Sequence, residues 1–356
     1  MKINNILSAI ILASVFTSCE NEIPFDIKEN NPKLIVNAII ETNSKDNYIL
    51  LAKTGRLEVD PVSEATINIY INGELRELLT EPSPPDTIYY ESGYYIPNTY
   101  NSKNTRYKTE LHYNPGDKVK IEVFAENNKY HAWAEDVIPK PIEIEHIDTM
   151  TFIKDNYPFI RLKTTFIDKP NEKNFYRIAL TRNITYFTKT IEGNIIKNGP
   201  FTDVVYIDPR EDFILNGGKV ITDTELISAE ENNYSIFDDS NLNGAYSMTT
   251  SFNRPIRENY YYYADEDGSF TESISFEYKV YLINITEMQY YYLRALNIIA
   301  SSSYDEYLST PVSFPSNVEG GVGFVGFGAS SCKSFSIPDI IPISTSGEYG
   351  GDYYPY

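Results

Sequence analysis

The chain has 356 residues, 42% apolar and 22% charged, so it can bury a sizeable core and is not a disordered polyelectrolyte. Fifty acidic residues against 30 basic ones leave a formal charge of −20, which repels phosphate backbones and excludes nucleic acid as a partner. With 31 tyrosines and one tryptophan, the aromatic bias favours pleated surfaces over a helical bundle, and a multi-pass membrane protein is excluded too.

Residues 1–18 read as a signal peptide. Lys2 gives a positive start, and the apolar run Ile6–Phe16 is too short for a hydrocarbon core of about 30 Å. Thr17-Ser18-Cys19 then sets small residues before a cysteine, which resembles the lipobox of bacterial lipoproteins. There the thiol takes a fatty acid such as palmitate and the bond before it is cut. Cys19 is therefore the expected lipidation site. With Cys19 acylated, Cys332 has no thiol partner and is expected as a buried or half-buried small hydrophobe. Residues 19–32 are polar, aperiodic and Pro-containing, as a tether would be. Glu20 and Glu22 resemble sparse surface-export signals of Bacteroidota lipoproteins, which leaves both faces of the outer membrane open.

The body reads as mainly all-β. Residues 33–140 are expected to form a first β-sandwich domain, with strands at 33–40, 48–52 and 65–71, then the Asn72-Gly73 hairpin signal. After Pro115-Gly116, Lys118, Lys120 and Glu122 alternate with Val119, Ile121 and Val123, and Asn127-Asn128 turns the chain into 130–134. Pro139-Lys140-Pro141 marks a boundary. A second β-rich domain, 141–342, is expected to carry strands at 159–167, 175–181, 204–207, 247–252 and 273–282. Its polar insertion, 208–244, is where a scaffold would present function. Thr286-Glu287-Met288-Gln289 matches a capping box, and Met288, Tyr292, Ala295, Leu296 and Ile299 share a stripe, predicting one amphipathic helix over 287–300. Glycines 320–328 lack a following Lys-Ser/Thr and read as close strand packing or a bulge. Residues 343–356 are a loose tail.

No G-x-S-x-G, H-E-x-x-H or S-x-x-K constellation is present, and His112, His131 and His146 are scattered, so the chain reads as non-enzymatic. Asp239, Asn241 and Asn243, followed by Gly244, match the opening of a calcium loop, although position twelve is Thr250. An Asx-rich turn explains the same residues without an ion. Tyr260, Tyr261, Tyr262 and Tyr263, beside Asp265, form the candidate contact patch for a ligand or partner.

Several stretches together resemble the DUF4249 family of Bacteroidota outer-membrane lipoproteins. They are the lipobox, Phe166–Arg177, Ile236–Gly244, Ser247–Phe252, Tyr290–Leu296 and Ser313–Phe327 with its Asn317–Phe324 core motif. Residues 65–71 and the Pro115-Gly116 turn also resemble immunoglobulin-like sandwiches of the carboxypeptidase-regulatory type. The family resemblance implies an accessory lipoprotein that partners a TonB-dependent receptor in substrate capture or uptake. It would be held at the outer membrane by its lipid, with a small molecule, peptide or glycan as ligand. The alternatives are a glycan-acting hydrolase using paired carboxylates and a structural, adhesin-like surface protein.

Overall fold

A computed structural model describes residues 31–55, 58–84, 104–154, 156–169, 172–218, 232–242, 244–254, 270–301, 304–305 and 309–337. Cys19, Asn243, Tyr260 to Tyr263 and the tail 343–356 lie outside them.

The expected all-β character holds. Strands β1 (Leu34–Glu41), β2 (Asn47–Thr54), β3 (Val59–Pro61), β4 (Ala65–Ile71), β5 (Glu74–Leu79), β6 (Thr105–Thr109), β7 (Lys118–Ala125) and β8 (Tyr130–Val137) precede the Pro-Lys-Pro junction. After it come β9 (Ile144–Lys154), β10 (Tyr157–Ile167), β11 (Phe175–Lys189), β12 (Ile195–Val204), β13 (Ile236–Asp238), β14 (Ala245–Asn253), β15 (Phe270–Ile285), helix α1 (Glu287–Ala300) and β16 (Val322–Phe335). The expected strand at 204–207 is displaced: β12 begins nine residues earlier and ends at Val204.

The largest sheet runs β12-β11-β15-β16-β1-β2-β3, with β13 on β11 and β6 on β2. Its centre is the parallel pair β1–β16, so both sides of the junction feed one sheet. Register fixes the faces. Ala38 and Ile40 sit across from Val325 and Phe327, Ala329 from Asn284, and Leu282 and Val280 from Ile178 and Leu180. All of these look to one side.

That side is covered twice. The four-stranded sheet β5-β4-β7-β8 packs on β1, β2 and β16 through Ile67, Ile69, Val119, Ile121, Val123 and Ala132. The three-stranded sheet β14-β10-β9 packs on β11 and β15 through Ile160, Leu162, Phe166, Met248 and Phe252. The opposite side carries α1, through Tyr290 and Leu293 against Ile39, Phe175, Ile283 and Phe324. Burial of this extent is the main stabilising term at about 25 cal/mol per Å².

Turn chemistry follows the residues. Asn72 and Gly73 both take positive φ (54° and 86°) between β4 and β5, the geometry that matches strand twist. Glu126, Asn127 and Asn128 do so between β7 and β8.

Four expectations are corrected. Thr286 occupies the N-cap but makes no side-chain cap bond. Its Oγ1 instead accepts from the Phe327 N–H at 3.3 Å, because α1 starts where β15 meets β16. The buried face of α1 is centred on Gln289, Tyr290, Leu293, Ala295 and Asn297, while Ile299 is 39% exposed. Asn297 is buried by bonds to the Tyr234 N–H and Asn232. Cys332 is exposed: it lies on the helix side of β16, beyond the part that α1 covers. Within the described parts of the insertion 208–244, Ile214, Leu215, Ile236 and Phe237 enter the core, so these parts are less open than a presenting loop.

Candidate functional site

Beyond Tyr278 the main sheet changes character. β16 pairs with β15 only from Ile285 to Tyr278, whereas β11 continues along β15 to Lys189 opposite Phe270. The ends of β11, β12 and β15 therefore form a three-stranded arm. Residues 183–189 give it a length of about 23 Å at 3.3 Å per residue.

The arm is built to hold its shape. At its base, Arg182 grips Asp203 with Nε and Nη2 (3.2 and 2.5 Å), and its guanidinium lies 5.6 Å from the Phe276 ring centre. Thr202 donates to Asn183 at 2.7 Å, and Asn183 donates to Glu277 at 3.1 Å. The rings of Tyr186 and Phe201 meet at 6.0 Å. At the tip, the Gly193 N–H donates to the Thr190 carbonyl and the Asn194 N–H to the Thr190 hydroxyl.

β12 is the outer edge of the sheet, and nine of its ten residues are exposed, with Asp203 half-buried. Ile195, Ile196, Phe201 and Val204 are 49–59% exposed, and Ile191 in the tip is 77% exposed. Residues 183–202 carry Lys189, Glu192 and Lys197, and the arm's part of β15 adds Glu272 and Glu277, for a net charge of −1. In a chain of net charge −20, this is an apolar, nearly neutral projection. Register divides the apolar residues of β12 between the faces, with Ile196 and Phe201 opposite Thr188 and Ile184 on one and Ile195 and Val204 opposite Lys189 and Thr181 on the other, so each face of the edge carries an exposed apolar pair of the kind that partners cover. Lys197, Pro200 and the bulge opposite Thr185 blunt the strand edge against indiscriminate pairing. Contact through side chains is what remains.

The sequence reading missed this arm, because Ile195-Ile196-Lys197 runs into Asn198-Gly199-Pro200, which reads as a turn. Tyr260 to Tyr263, the contact patch that the sequence offered, lie outside the described residues.

Asp239 and Asn241 lie on a 3-10 turn, 239–241. Asp239 accepts the Asn174 N–H at 2.5 Å. Asp238 next to it accepts from Ser240 and from the Tyr290 hydroxyl (3.1 Å). Burial pushes the Asp238 carboxyl up, but these bonds more than offset it and it titrates below its ordinary value. Nearby, the Tyr176 hydroxyl donates to buried Asp168 at 2.5 Å. Burial, then the charges of Asp239 and Glu172, hold the Asp168 carboxyl above its ordinary value. Asn284 ties this junction to the linker by donating to the Lys140 carbonyl at 2.9 Å. The bonds of Asp239 to Asn174, Asp238 to Tyr290, Tyr176 to Asp168 and Asn284 to Lys140 tie the stretches Phe166–Arg177 and Ile236–Gly244 into the fold, a structural role for both. Among the described residues, no three His, Cys, Asp or Glu side chains group to hold a metal ion.

Comparisons with known proteins follow the fold. No curated protein matches the sequence. One solved structure, titled for manganese lipoxygenase of Gaeumannomyces graminis and zonadhesin of Komagataella pastoris, is 9% identical over 72% of this chain and 89% of that chain. Its TM-score of 0.10 supports no argument. The model of DUF4249, a domain of unknown function, matches residues 20–334, and the chain belongs to that family.

Proposed function

We propose that this protein is a lipid-anchored accessory protein of the outer membrane that acts by binding, docking on a TonB-dependent receptor and taking part in substrate capture. The arm carries the proposal: a stiff, nearly neutral projection with Ile191, Ile195, Ile196, Phe201 and Val204 exposed. Burying such side chains against a partner contributes about 25 cal/mol per Å², and its near neutrality avoids the repulsion that the rest of this polyanion exerts. Thr17-Ser18-Cys19 supports the lipid anchor, and the resemblance of the family motifs supports the receptor as partner.

Purification of the full chain from native membranes in mild detergent tests the reading. A receptor barrel should co-purify with the wild type and be lost from Ile196→Asp and Phe201→Asp, which face solvent and should fold normally. Recovery of a solitary wild-type protein, or retention of the barrel by both variants, would overturn the docking role. A Cys19→Ala chain should leave the membrane fraction, and its retention there would overturn the anchor.

A further inference from the structure

The outer face of the four-stranded sheet is a second surface, remote in sequence from the arm. Its inner face is all core: Ala65, Ile67, Ile69, Val119, Ile121, Val123, Ala132 and Ala134. Alternation therefore puts the intervening residues outside. Register arranges them in rows: Tyr70 across from Lys120 and then Glu135, Asn68 from Glu122 and then Trp133, Thr66 from Phe124 and then His131.

This grid is preorganised. Lys120 Nζ stands 5.5 Å from the Tyr70 ring centre and 5.1 Å from that of Trp133, and donates to Glu122 at 3.0 Å. Glu122 also accepts from the Tyr70 hydroxyl at 3.2 Å and lies 3.2 Å from His131 Nε2. His131 stacks on Phe124 at 4.5 Å with planes 8° apart. The Trp133 backbone is pinned by two bonds to Glu319. Lys118 pairs with Glu135 at 2.7 Å, so the two lysines and two glutamates of the face cancel in charge.

Three features select a ligand class. Rings of Tyr70 and Trp133 offer flat apolar area at low entropic cost. Glu122 has three partners for about four lone-pair positions, and Lys120 donates one of its three hydrogens. Asn68, in the middle row, has a carboxamide that bonds nothing among the described residues. Stacking area beside fixed donors and acceptors, with no net charge, matches a sugar ring, which is apolar on its C–H face and hydroxylated at its rim. We propose that this face binds a neutral saccharide, with Trp133 and Tyr70 as the stacking platform and Glu122, Lys120 and Asn68 bonding its hydroxyls.

Trp133 is the only tryptophan of the chain, so its emission reports on this face alone. The full chain should be titrated with neutral gluco-, manno-, galacto- and xylo-hexasaccharides. At least one should change Trp133 emission along a saturating curve. Tyr70→Ala and Asn68→Ala, both half-buried on the outer face, should weaken calorimetric binding of that sugar about tenfold, while Ile196→Asp on the arm leaves it unchanged. The last control separates this site from the docking role. Flat titrations for all four sugars up to about 10 mM, binding indifferent to both platform variants, or emission that answers only to a co-purified protein would each overturn the proposal.

Discussion

Gln289 and Gly326 meet where α1 crosses β16: a methyl group on Gly326 would stand 2.8 Å from Cβ of Gln289 and 3.0 Å from its Oε1. Gly326 is thus the gap that lets the helix lie on the sheet, and Gln289 is fully buried because of it. Gly326→Ala should cost about 1–3 kcal/mol by overpacking. Gln289→Ala should not relieve it, since Cβ remains. Gln289→Gly combined with Gly326→Ala should lose less than the sum of the two single changes, despite the cost of about 1 kcal/mol for glycine in a helix. Denaturant unfolding of the four chains checks this, and strict additivity would show that the contact is not limiting.

This contact also explains where the sequence was legible and where it was not. Alternation along 118–125 and the Asn72-Gly73 turn were readable because one face of that sheet is core and the other solvent. Helix 287–300 was readable from its period, but its facing was not. A glutamine at the closest approach makes sense only once the glycine of a distant strand is known to lie beneath it. The glycines of β16 were readable as close strand packing, but not the strand that they pack against. Gly323, for example, takes φ +112° with a would-be Cβ 2.3 Å from the Val36 carbonyl. That close approach belongs to the parallel pairing with β1, nearly 290 positions away, which no local pattern encodes. Of the candidate site residues, Asp239 and Asn241 lie on a 3-10 turn whose N-cap is Asp238, a residue outside the set that the sequence singled out. The arm escaped because exposure of apolar residues is a tertiary fact.

Asp168 and Tyr176 give a pH-dependent prediction. The Asp168 carboxyl is held above its ordinary 3.8 by burial and then by Asp239 and Glu172, with the Tyr176 bond opposing. Folding therefore disfavours the ionised form. The penalty is complete above the folded value, shrinks as pH falls through that value, and vanishes below 3.8. Asp168→Asn keeps an acceptor for Tyr176 and should be no less stable at pH 7, with a flatter pH profile. Tyr176→Phe, which strips a buried carboxylate of its donor, should cost about 1–3 kcal/mol. Thermal melts from pH 4 to 8 decide it, and a large loss in Asp168→Asn at pH 7 would count against the account.

Cys332 is exposed on β16, and the lipid expected on Cys19 would mask the other thiol. The native protein taken from membranes should therefore react with a thiol reagent at one equivalent per chain, without denaturant. Cys332→Ser should abolish the reaction and leave stability within about 0.5 kcal/mol, as for a surface change. Two equivalents would mean that Cys19 is bare. None would mean that β16 is covered in the native assembly, a result that would locate the partner on the helix side of the sheet.

Glu126, in the turn between β7 and β8, accepts the Ser63 N–H at 3.0 Å and hydroxyl at 2.9 Å, and the Lys53 ammonium at 2.9 Å. The Ser63 N–H first, then Lys53 and the hydroxyl, pull its carboxyl down to about 2 from 4.5. A depressed carboxyl stabilises the fold in full above 4.5, and that contribution fades as pH falls from 4.5 towards 2. Because the carboxyl is only partly shielded from water, Glu126→Gln should cost no more than about 1 kcal/mol at pH 7. The difference between wild type and variant should then shrink as the pH is lowered to about 2.5. Urea midpoints for both chains at pH 7, 4 and 2.5 follow that window. A difference that stays constant would mean the carboxylate charge contributes nothing, and that Glu126 serves only as a neutral acceptor for a turn its own positive φ of 52° already strains.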